Sequence, residues 1–275
     1  MTRVATFVCI LVTSTSFVKA APPCTPIDGL SSILRPGAVA VFGEMHGTVE
    51  SPAFVEAVIC LAAERGLPIV LGVEQDHAVE SATNRFVASP GADADRQSLL
   101  AQPFWADVKQ DGRASAAMFH LIDLARQLTA SGRGRVRVIA FSETAPSGQE
   151  RDRLMAANIR RAVLNAPEFM TVLLTGNLHS KMAVGVSFDA AYEPMGLLLQ
   201  RQMVGRRVFG FDVSHPGGFA WMCEMNPPGC GPHGLRGTAA LPPNHLVVYS
   251  EINSAGYGGA YGVGRLTASE PAVRR

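Results

Sequence analysis

The chain has 275 residues, of which 47% are hydrophobic and 17% charged, and its formal net charge is +1. That composition supports a sizeable buried core and excludes a disordered or collagen-like chain. The near-neutral balance points to neither nucleic acid nor an acidic membrane as partner.

In chain order, residues 1–20 read as a signal peptide. Met1-Thr2-Arg3 is a short basic start, Val4 to Val12 is a mostly apolar stretch, and Val18-Lys19-Ala20 fits a cleavage site. The stretch is too short to span a bilayer. No lipobox precedes Cys24, so a lipid anchor is not expected, and the mature protein is expected to be periplasmic or secreted. Residues 21–275 are expected to form a single α/β domain, a length such domains reach undivided.

The first strand, Ala38 to Phe42, runs into Gly43-Glu44-Met45-His46. Ser51-Pro52 reads as an N-cap with proline at the first helical position. Phe54, Val55, Val58, Ile59 and Ala62 then form an apolar stripe at helical spacing. Gly66 ends that helix, and a second strand, Ile69 to Val73, runs into Glu74. Helices are expected between Val79 and Leu128, broken at Ser89-Pro90-Gly91 and at Asp111-Gly112. Arg133, Arg135 and Arg137 precede or enter a third strand, which ends on Ser142-Glu143; these arginines read as a solvated turn and edge. A helix over Arg151 to Leu164 follows, then a fourth strand, Thr171 to Leu174, running into Gly176-Asn177-Leu178-His179. Further strands are expected at Val208 to Val213 and Leu246 to Tyr249, with Gly- and Pro-rich loops between them and a Gly- and Tyr-rich tail over the site. The alternation predicts a mainly parallel central sheet with helices on both faces and extra C-terminal edge strands.

Ligands of open α/β sheets bind outside the carboxyl ends of the strands. Two copies of Gly-x-x-His at such ends therefore place His46 and His179 in one crevice. Imidazole serves there as general base or as metal ligand. Glu44 and Glu74 follow runs apolar enough to be buried, where an unpaired carboxylate is costly, so each needs a partner. Arg151 opens a helix facing the same crevice and suits a substrate carboxylate or a developing oxyanion. Glu143, and Asp111 with Arg113 in Gln110-Asp111-Gly112-Arg113, are candidates for substrate contact. His120, in mid-helix, is the other histidine with a route to the site.

Cysteine usage fits export. Cys9 leaves with the signal, and the four that remain suggest two disulfides. Cys223 and Cys230 flank a turn-rich hexapeptide and are expected to pair, which leaves Cys24 to pair with Cys60. A Gly-x-Ser-x-Gly elbow, His-Glu-x-x-His and a Walker A loop are all absent.

The set Gly43-Glu44-Met45-His46-Gly47-Thr48, Glu74, Arg151-Asp152-x-x-Met155-Ala156 and Gly176-Asn177-Leu178-His179 resembles the erythromycin-esterase-like, ChaN-like and Tiki superfamily, with the ChaN-like branch nearest. The resemblance implies three different activities. Esterase members hydrolyse a macrolide lactone at a paired-His and Glu site where histidine activates water. Tiki-type members are metal-dependent proteases, which would make His46, His179, Glu44 and Glu74 divalent-metal ligands. ChaN-like members include haem-binding lipoproteins with a tyrosine ligand. This chain departs from that last pattern, because it lacks a lipidation signal and its tyrosines (Tyr192, Tyr249, Tyr257, Tyr261) all lie in the C-terminal third. The expectation is an exported hydrolase of an ester or amide bond, with a small molecule or peptide as substrate. The alternative is a non-catalytic haem- or iron-binding protein.

Overall fold

All six residues of β1 (Val39–Glu44) are buried. Such an unbroken buried run marks a parallel strand covered on both faces. The computed structural model describes residues 23–107, 111–225, 228–238 and 241–273. Residues 1–20, expected to be a signal peptide, and Gln110 lie outside these. After β1 come α1 (Glu50–Glu64), β2 (Ile69–Asp76), α2 (Glu80–Val87), α3 (Asp93–Leu100), α4 (Pro103–Ala106), α5 (Ala116–Ala130), β3 (Val136–Ser142), α6 (Gly148–Leu164), β4 (Met170–Gly176) and α7 (Met195–Gln202). They are followed by β5 (Val208–Ser214), β6 (Gly217–Met225), β7 (Pro228–Arg236), β8 (His245–Val248) and β9 (Gly259–Gly262).

A seven-stranded sheet has the order β3-β2-β4-β1-β5-β9-β8. Every pairing in it is parallel except that of β8 with β9, so the expected mainly parallel sheet is present. Side chains alternate between its faces. Ala40, Phe42, Leu71, Val138 and Val172 pack in one core with α1, α2 and α5. Val39, Val41, Val70, Ile139 and Leu173 pack in another with α6 and α7. Phe42 anchors the first core, stacked 5.1 Å from Phe211 and edge-on to Tyr261 at 5.3 Å.

Two local expectations are corrected. The first helix starts at Glu50, so Ser51 is inside it rather than capping it; the Glu50 carboxylate instead accepts from the Thr267 backbone N–H at 2.9 Å. The Gly- and Pro-rich stretch after β5 is a long antiparallel hairpin, β6 with β7, rather than loops. Both strands are edges, where proline such as Pro232 costs little because its missing N–H can face outward. Likewise part of the Gly- and Tyr-rich tail is β9, whose Tyr261 is fully buried and donates its hydroxyl to the Gly43 carbonyl at 2.8 Å. The tail therefore pins the chain at the mouth of β1.

Both expected disulfides form. Cys24–Cys60 ties the start of the described chain to α1 across 36 positions, and Cys223–Cys230 crosses the β6–β7 hairpin. The first closes the longer loop and so restricts the unfolded chain more. Replacing Cys24 and Cys60 together by serine is expected to lower unfolding stability by about 3–4 kcal/mol, read by urea titration under oxidising conditions. A midpoint equal to that of the parent would contradict this.

Candidate active site at the carboxyl rim of the sheet

Register assembles the site. Glu44, the last residue of β1, lies beside Gly176, the last residue of β4. Glu74 extends β2 beyond the Val73–Leu174 pair, which brings it beside Thr175. The two Gly-x-x-His segments therefore leave adjacent strands at the same level. Gly176 lies between the histidines: a Cβ there would stand 3.1 Å from His46 Nε2 and 3.5 Å from His179 Cδ2. The space between the imidazoles exists because residue 176 has no side chain. Gly176→Ala, whose φ of -54° suits alanine, is expected to keep the fold and lower turnover at least tenfold. Unchanged kcat/KM would contradict that reading.

Glu74 is the hub, and its side chain is 3% exposed. Its Oε2 accepts from Thr175 Oγ1 and from the Gly176 N–H, each at 2.7 Å. Its Oε1 accepts from Arg151 Nη2 at 2.6 Å and meets Arg113 Nη1 at 3.5 Å. His46 Nε2 lies 3.4 Å from Oε2, and His179 Nε2 lies 3.9 Å from Oε1. Burial alone would raise the Glu74 pKa, but the His46 charge and hydrogen bond and the Arg151 charge outweigh it and hold the carboxyl well below its usual range.

His46 is held at its other nitrogen, where Nδ1 is 2.8 Å from Glu44 Oε1. Burial would depress this imidazole. The Glu74 charge and the hydrogen bond with Glu44 act the other way and raise it to about 10. Glu44 is itself pushed up by burial, against the pull of His46, so the pair holds a proton firmly at neutral pH. His179 has a different arrangement. Its Nδ1 lies 2.6 Å from Asp152 Oδ1, a close ion-pair contact without aligned hydrogen-bond geometry. Its Nε2 faces Arg151 Nη1 at 3.3 Å. A guanidinium can only donate, so His179 Nε2 faces Arg151 as an acceptor.

The arginines are positioned by neighbours of the motifs. Arg151 also donates to Ser142 Oγ, from Nη2 at 2.8 Å. Arg113 is gripped by Asp111, with Nε 2.9 Å from Oδ2, and both groups sit beside Glu74 and His46. Glu143 is not brought to this group; its carboxylate accepts from Asn158 Nδ2 at 2.6 Å. His120 lies on the exposed side of α5. Asp152 stood in the motif with Arg151 but was given no role of its own, although it is fully buried and bears both His179 and the Met195 N–H. Its signal was available: an acid next to Arg151, on the inward stripe of a helix with Met155 and Ile159.

A zinc-type metal centre needs three or more free protein donors converging on one point. His46, His179, Glu44 and Glu74 do not offer that. Glu74 is saturated by two N–H or O–H donors and two guanidiniums, which supply the positive charge a metal would bring. Among the described residues, the only trio of such side chains with ligand atoms within 4.8 Å of one another is Cys24, Cys60 and Glu64, and both cysteines are in a disulfide. Three of the four tyrosines do not fit a haem ligand either; Tyr249 is part-exposed, after β8. Tyr192, Tyr257 and Tyr261 are buried, with hydroxyls on Asp152, the Asn177 carbonyl and the Gly43 carbonyl. Burial raises all three phenols above their ordinary range.

No family model matches the sequence, and no curated protein matches it. Solved structures do. A Bacillus cereus protein superposes with a TM-score of 0.63 at 12% identity, over 89% of this chain and 92% of that one. An erythromycin esterase mutant, EreC, in its open conformation gives 0.61 at 12%, over 90% and 95%. A succinoglycan biosynthesis protein gives 0.61 at 8%, over 88% and 91%. At these identities the likeness is one of fold: this chain shares the architecture of these three structures.

Proposed function

We propose that the protein is an exported hydrolase of an ester or amide bond, with His46 as the proton-transfer group. The observation that carries the reading is His46 held at Nδ1 by buried Glu44 while Nε2 faces the space over Gly176, 3.4 Å from Glu74. A carboxylate fixing one nitrogen while the other meets the reacting water is the logic of the triad histidine. Nε2 takes the proton of the attacking water, and Glu74 stabilises the imidazolium that results. Arg151 and Arg113, each about a quarter exposed, face the crevice as donors for the developing oxyanion. The erythromycin esterase likeness supports a lactone or other ester ahead of an amide. Two disulfides are consistent with export, and among the described residues no helix is long and apolar enough to cross a membrane.

The pH profile tests His46. A base that must be free, with a pKa of about 10, makes kcat/KM rise about tenfold per pH unit from neutrality until it levels near pH 10. A second reading is favoured by His179 Nε2, which faces Arg151 as an acceptor and can itself take the water's proton while the cationic His46 stabilises negative charge. That arrangement gives a larger loss of turnover in His179→Ala than in His46→Ala.

A further inference from the structure

Arginine precedes four of the five neighbouring parallel strands: Arg35 before β1, Arg65 before β2, Arg133 and Arg135 before β3, and Arg206 and Arg207 before β5. The strands are parallel, so all these residues share the amino rim of the sheet, opposite the crevice. Arg137, exposed on the edge strand β3, extends the belt. Two open grooves lie along it. One, of about 500 Å³, is lined by Arg133, Arg135, Arg137 and Phe169, with the Arg135 guanidinium 5.3 Å from the Phe169 ring. The other, of about 480 Å³, is lined by Arg35, Arg206, Arg207 and Val204. Among the described residues only Arg133 of the belt forms an ion pair, with Glu64 at 3.2 Å. Glu168 is the other acid of these loops. Two aliphatic side chains protrude from the same rim: Val204 is 91% exposed and Leu164, at the end of α6, 51% exposed. A chain of net charge +1 thus concentrates cations, interleaved with bare aliphatics, on the face its hydrolytic site does not use.

Against the expectation drawn from net charge alone, we propose that this amino rim docks on an anionic phospholipid surface, leaving the crevice turned outward. Guanidinium forks match phosphate oxygens. Val204 and Leu164 gain by entering the headgroup zone, whereas a nucleic acid backbone offers them nothing. The contact is peripheral, in keeping with the absence of a spanning helix among the described residues. It does not depend on the hydrolase reading.

The test is co-sedimentation of the mature chain with phosphatidylcholine vesicles and with phosphatidylcholine–phosphatidylglycerol vesicles, at low and high salt. The expected result is sedimentation with the anionic vesicles only, reversed by salt. Arg135→Ala and Arg207→Ala are each expected to weaken it about fivefold. Val204→Asp, at a position with no packing to lose, should weaken it as well. Four results would each overturn the proposal: no difference between the two vesicle types, a Val204→Asp variant that binds like the parent, tighter binding to duplex DNA than to anionic vesicles at matched salt, or release from vesicles by inorganic phosphate at constant ionic strength.

Discussion

Glu74→Gln is expected to lower unfolding stability by about 3–5 kcal/mol and to remove hydrolysis. The substitution keeps the side chain's shape but deletes a charge that is 3% exposed and faces Arg151, Arg113 and His46. Breaking one side of a buried ion network leaves its partners uncompensated, which costs far more than a surface pair. Folding holds the Glu74 pKa below 4.5, so its stabilisation is present above 4.5 and is lost as pH falls through the lower folded value. The variant should therefore lose most at neutral pH and converge on the parent in acid. Chemical denaturation at pH 7 and pH 3 checks this. Equal stability of the two proteins at pH 7 would mean that Glu74 is not the hub.

His46→Asn should lower kcat by about 10²–10⁴, the range of general acid–base assistance, with a smaller change in KM. Stability gives an independent readout of opposite slope to that of Glu74. The His46 pKa is raised from 6.5 to about 10, so its contribution is complete below 6.5 and is lost as pH rises through 10. The variant should thus fall below the parent at pH 6 and approach it near pH 10. A variant that loses turnover but shows no such pH-dependent difference would place His46 in the chemistry without its paired carboxylates.

Much of this was legible in the sequence because strand ends are written in one dimension. Buried parallel strands are unbroken apolar runs, and the residue that ends each run lands on the same rim, so Glu44, His46, Glu74 and His179 could be grouped before any coordinates. Arg151, Arg113 and Asp111 followed from helix starts facing that rim. Glu143 misled because it also ends a strand, yet Asn158 on α6 captures its carboxylate. The role of Asp152 escaped because its partner, His179, is distant in sequence and only packing joins them. The β6–β7 hairpin was hidden by its own composition: glycine and proline read as loop, while cross-strand pairing and a disulfide supply the order that propensity does not. Nor could the arginine belt be seen one loop at a time, since its meaning arises only when parallel strands gather their entrances on one side.

The most direct measurement is hydrolysis of a panel of lactones and simple esters by the purified protein, with the His46→Asn variant alongside at pH 7 to 10. Turnover by the parent that climbs towards alkaline pH and collapses in the variant is the predicted result. A parent inert on every ester, or a variant as fast as the parent, would contradict a hydrolytic role for the imidazole poised over Gly176.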